Sequence, residues 1–176
     1  MPPSTPAAPP ETSLGGNRLI RIALVVTLAL VVLAAAAIAA VVAGEWDDDP
    51  RSRPFSARES AYTAALAREV SLLGIRLDDI GRLLARPDMD NPAWRVSLVD
   101  TADRVDALCA SIRATPAPER FAEMHEQVIA AMDGYQDAME ILRQAARDRD
   151  PDALTDARAA MDAADAHLAE ATRLAE

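Results

Sequence analysis

Few side chains in this sequence are equipped for chemistry: among 176 residues there are one Cys, two His and two Tyr. His125 is the most informative. It continues the stepping by three and four that joins Phe121, Val128 and Met132, so it falls on a helical stripe that should face a core. An imidazole titrates near neutrality and can act there as a pH- or ligand-responsive group. It can equally be a core histidine satisfied by a carboxylate or carbonyl. If the helices run alternately up and down, Tyr62, Glu59 and Cys109 come to about the level of His125, within reach of a His125–Glu59 contact. Tyr135 lies on the same stripe, and its hydroxyl needs a partner if buried. His125, Tyr135, Glu59 and Tyr62 are therefore the candidate polar core or ligand site.

Other chemistries lack their parts. A di-iron bundle needs Glu three residues before His, but Ala122 and Ala164 stand before His125 and His167. One Cys and two His do not make a zinc or copper cluster. Cys109 has no neighbours that mark an activated thiolate, and no Gly-rich turn presents a Ser or cradles phosphate. We expect no catalytic residue, no metal and no cofactor, and not an enzyme. The net charge of −10 opposes nucleic acid as a partner. Only Arg18, Arg21 and Glu11 among the charged residues precede Glu45, so 16 Arg and 27 acidic residues follow from the totals of 18 and 28. The acidic excess belongs to the downstream part. Asp47, Asp48 and Asp49 lack the spaced ligands and Gly of a calcium loop and suit a solvated spacer.

The elements that hold these residues begin with a tail, residues 1–17, rich in Pro and Ala and without apolar period; it should be disordered and cytoplasmic. Residues 22–43, "IALVVTLALVVLAAAAIAAVVA", contain no charge. At about 1.5 Å per residue such a run spans roughly the 30 Å of a hydrocarbon core. Arg18 and Arg21 abut it and Trp46 follows it, as expected at membrane interfaces. Residues 18–44 thus read as a transmembrane signal-anchor in the bacterial cell membrane, with the N-terminus cytoplasmic and the C-terminal domain extracytoplasmic. The Val41-Val42-Ala43 pattern keeps cleavage by a signal peptidase open as an alternative. Ala36, Ala40 and Gly44 have the small-residue spacing that lets membrane helices pack, which would make a homodimer. Residues 45–54 form an acidic linker.

Residues 55–176 read as four helices. Ser56 and Glu59 have capping-box spacing, and Arg86-Pro87 ends the first segment. Its stripe runs Leu66, Val70, Leu73, Leu77, Ile80, Leu84, extending back through Thr63 to Glu59. Asn91 and Pro92 open the second, with Trp94, Leu98, Thr101, Val105, Leu108 and Ile112. The third starts near Glu119, with Phe121, His125, Val128, Met132, Tyr135, Met139, Leu142 and Ala146. Asp150-Pro151 caps the fourth, with Leu154, Ala157, Met161, Ala164, Leu168 and Ala171. Nothing alternates with period two. The fold class is all-α: a single N-terminal transmembrane helix, then an up-down-up-down antiparallel four-helix bundle. The large side chains of the third helix should interdigitate with the Ala of the fourth.

A short tail, one membrane helix and four long helices resemble the sensor half of bacterial chemoreceptors over residues 19–176. "PERFAEMHEQVIAAMDGYQDAM", residues 118–139, also resembles helical pairs of uncharacterised bacterial membrane-anchored proteins. The first resemblance implies a bundle that binds small ligands or partner proteins outside the membrane; the second implies no activity. Unlike a chemoreceptor, the sequence shows no second membrane helix and no signalling region. The expected function is an extracytoplasmic bundle for protein interaction or envelope scaffolding. Its partners would be the lipid bilayer and another membrane or envelope protein. The alternative is a small-molecule or pH sensor that signals through a separate partner.

Overall fold

The computed structural model describes residues 55–175. The tail, the signal-anchor and the acidic linker lie outside the described residues, and with them Arg18, Arg21, Trp46, Ala36, Ala40 and Gly44. Within the described residues the regular structure is entirely helical, and no helix is long and apolar enough to cross a membrane. The order is α1 (Ala57–Ala85), α2 (Pro92–Ala114), a 3-10 turn (Glu119–Phe121), α3 (Ala122–Asp148) and α4 (Ala153–Ala175).

Local chemistry sets the boundaries. Ser56 Oγ accepts from the Glu59 amide at 3.2 Å, and Glu59 Oε2 accepts from the Ser56 amide at 2.7 Å, completing a capping box. Asn91 Oδ1 caps α2 by accepting from the Ala93 amide, with Pro92 at the first helical position. Asp150 Oδ1 accepts from the amides of Asp152 and Ala153 and so starts α4. α3 ends on Arg149 in the left-handed region, φ 58°, ψ 42°, where its amide and that of Asp150 both donate to the Ala145 carbonyl.

Successive helices run antiparallel. Arg143 of α3 pairs with Asp103 and Asp106 of α2, while Arg113, further along α2, pairs with Asp133, earlier on α3. α4 descends beside α3 in the same manner, with Gln127 against His167 and Tyr135 against Asp165. α1 and α4 meet at the opposite end, where the Arg158 guanidinium donates to the Leu84 carbonyl at 2.5 Å. Trp94 closes that end too, its indole N–H donating to the Leu83 carbonyl.

The apolar stripes meet in one core. α4 buries Leu154, Ala157, Met161, Ala164, Leu168 and Ala171, the full expected set. Elsewhere the stripe shifts by one position. On α1 it passes through Tyr62 rather than Thr63, and Leu77 is only half-buried; on α2 it takes Ala102 and Cys109 in place of Thr101 and Leu108. On α3 Met124 is buried and His125 is half-buried. A period of 3.6 permits a step of three or four at each turn, and the neighbouring helix decides which is taken. Small Ala102 and Cys109 face inward, which lets α3 approach α2. A fully buried Leu contributes about 1.5–3 kcal/mol, so the apolar stripes outweigh any single surface ion pair, worth about 0–1 kcal/mol.

The tightest seam joins α3 and α4. A Cβ placed on Gly134 would stand 3.0 Å from the Ala164 Cβ, and Ala131, Ala138 and Ala145 are fully buried nearby on α3. Large Met and Tyr side chains of α3 fill the core between these close approaches.

Candidate functional site

The first turns of α1 and α3 meet at the end where the chain enters α1. The 3-10 turn after Pro118 delivers Phe121, whose ring meets Phe55 edge-on (centroids 5.5 Å, 76°) and stacks on Tyr62 (5.5 Å, 24°). His125 stands edge-on to Tyr62 at 5.8 Å, and the Tyr62 hydroxyl lies 2.9 Å from its Nδ1. The Arg120 guanidinium carbon sits 4.8 Å from the Phe55 ring centre, over its negative face. Three aromatic rings and an imidazole thus seal this end of the core.

The sealing sets the electrostatics. Burial pushes the Tyr62 phenol up to about 12, and burial lowers His125 below the ordinary imidazole value. At neutral pH both groups are uncharged. In the tautomer with its proton on Nε2, the ring accepts the phenol proton at Nδ1; a protonated ring would donate to the phenol oxygen instead. The pair therefore has a hydrogen bond available in either charge state, at the cost of burying the charge in one of them.

Of the four candidate residues, Tyr62 and His125 come together. Glu59 is buried, at 4% exposure, and its carboxylate closes the capping box with Ser56, so the bond to the imidazole is made by Tyr62. Local hydrogen bonding three residues away costs less chain ordering than a contact across the core, which is why the cap takes the carboxylate.

Tyr135 belongs to a second, separate polar pair at mid-bundle. Its hydroxyl donates to Asp165 Oδ1 across the α3–α4 seam. Burial, then the adjacent Asp165 charge, pushes the phenol far above its usual range. Asp165 is itself raised by burial, which outweighs the lowering effect of the Tyr135 bond. Asp165 was not among the expected residues; its signal was the need of a buried phenol for an acceptor one position past Ala164. Cys109 lies near this pair rather than near His125. It is fully buried, and burial, followed by the Asp106 charge, pushes its thiol up to about 12. Such a thiol is not a nucleophile at neutral pH.

Across α2 and α3, Arg143 binds three carboxylates: Asp103 at 2.9 Å, Asp106, and Glu140 at 3.2 Å, with 15% of its side chain exposed. This cluster locks the register of two helices and presents no vacant cation. Among the described residues no group of three His, Cys, Asp or Glu side chains converges as a metal would require. What the geometry can do is exchange a proton at the Tyr62–His125 pair and present helix faces to a partner. No protein-family model, curated protein or solved structure matches the chain.

Proposed function

We propose that this chain is a single-pass membrane protein that presents its four-helix bundle outside the membrane for protein interaction or envelope scaffolding. The observation that carries this reading is the uncharged run of residues 22–43, with Arg18 and Arg21 before it and Trp46 after it. The helices are consistent with a structural presenter: their interior is apolar, and the buried phenols of Tyr62 and Tyr135 are hydrogen-bonded to His125 and Asp165. The partners are the lipid bilayer and a second membrane or envelope protein.

Membrane fractions washed at alkaline pH should retain the full chain, and a periplasm-dependent reporter fused after Glu176 should be active. Release by the wash, or activity only when the reporter is fused before residue 18, overturns the reading. In-cell crosslinking with mass spectrometry then identifies what the bundle touches.

One observation favours a sensor as the second reading. The Tyr62–His125 pair joins a buried phenol to a half-exposed imidazole at the end where the chain enters the bundle. A ligand or proton bound there would act on the element nearest the membrane.

A further inference from the structure

The outer face of α1 carries an apolar seam. Ala57, Ala61, Ala64, Arg68, Leu72 and Ile75 step by four and three along one side, and all six are exposed. Leu72 and Ile75 are 43% and 54% exposed, two of the three large apolar side chains left in solvent among the described residues. The outward positions of α2 carry Val96 with Asp100, Asp103 and Arg104, and those of α3 carry Glu123, Glu126, Asp133 and Asp137. Those of α4 carry Ala159, Ala163 and Ala166 with Asp156 and Asp162 but no large apolar side chain. On α1 a single charge, Arg68, interrupts an apolar seam of the kind one helix offers to another.

We infer that this seam is the contact between two copies of the chain, their α1 helices lying parallel and in register. The inference rests on the membrane anchor proposed above. The uncharged run ends at Ala43, and 12 positions later the chain reaches Phe55, a tether of at most about 43 Å. Copies anchored in one bilayer share their orientation, so their α1 helices start at a common height. Parallel pairing then sets Ala57, Ala61 and Ala64 against their own equivalents near the membrane, where small side chains allow close approach. Leu72 and Ile75 meet farther out. Arg68 is 74% exposed and 3.6 Å from Glu69, so its stem can cover the seam while its charge stays in water. One polar residue in such a seam fixes register at a cost in stability. Three Ala bury little area, so association depends on the high effective concentration that tethering supplies. Ala36, Ala40 and Gly44 continue the small-residue spacing into the proposed anchor.

The test uses the full chain in isolated membranes, mildly oxidised and run without reductant. Cys109 is fully buried and stays silent. Ala61→Cys and Ile75→Cys should give a band at twice the chain mass, lost in Ala159→Cys, an exposed position on α4. Leu72→Glu placed in the Ala61→Cys chain should abolish the band. No dimer from the seam variants, equal dimer from Ala159→Cys, or an adduct of another mass each overturn the inference. Alkaline washing of the same membranes separates the two failures. A chain released by the wash refutes the anchor and the tethered pair with it, whereas a retained chain without seam crosslinks refutes the pair alone.

Discussion

The Tyr62 hydroxyl and Nδ1 of His125 stand 2.9 Å apart and tie the start of α1 to the start of α3 across the end of the core. Burial lowers the imidazole below its ordinary value of 6.5, so in mildly acid solution the unfolded chain binds protons that the folded chain resists. Stability follows the difference in bound protons, so it falls as pH drops through about 6.5. Unperturbed carboxylates titrate lower, near 4, and Asp165, which burial raises, changes stability with the opposite sign. The urea midpoint of the wild type should therefore decline from pH 7.5 to about 5.5, and His125→Gln should flatten that decline. Parallel profiles for the two proteins would refute a titrating role for His125.

Tyr135 and Asp165 respond to pH with the opposite sign. Burial raises Asp165, so its charged form costs stability that is fully available only below the unfolded value of about 3.8 and is lost as pH rises through the folded value. Asp165→Asn keeps an oxygen acceptor for the phenol and should stabilise the protein at pH 7 but not at pH 3. Tyr135→Phe leaves Asp165 without that donor and should cost about 1–3 kcal/mol at pH 7. Chemical denaturation at both pH values checks the pair of outcomes; a destabilised Asp165→Asn at pH 7 contradicts them.

Two glycines in helix interiors should behave oppositely. A Cβ at Gly134 meets the Ala164 Cβ at 3.0 Å, and that atom is fixed by its backbone and cannot rotate away. Gly134→Leu should force α3 and α4 apart and cost about 1–3 kcal/mol or more. Nothing lies within 4 Å of a Cβ at Gly81, so Gly81→Ala gains helix propensity, about 0.5–1 kcal/mol. Thermal melts of both variants decide this, and equal shifts would mean that the α3–α4 approach is not tight.

The helices themselves were legible in the residues, because caps and apolar spacing act within one or two turns. Ser56 with Glu59, Asn91 with Pro92, and Asp150 each start a helix as their types demand, and the α4 stripe was complete. Errors of one position came where two neighbouring residues were both eligible: Tyr62 or Thr63, Thr101 or Ala102, Leu108 or Cys109, Met124 or His125. There the stripe depends on which side a neighbour packs, and no local energy contains that information.

What the sequence alone determined is the uncharged run, the four helices, their ends and the acidic surface, each a consequence of composition or near-neighbour spacing. Only the tertiary structure decided the polar pairings. Glu59 was taken by its own cap, His125 found Tyr62 63 positions away, and Tyr135 found Asp165 across a seam that Gly134 makes close. Such pairs are set by desolvation and by the rigid-body fit of packed helices, which residue order encodes only through the whole core.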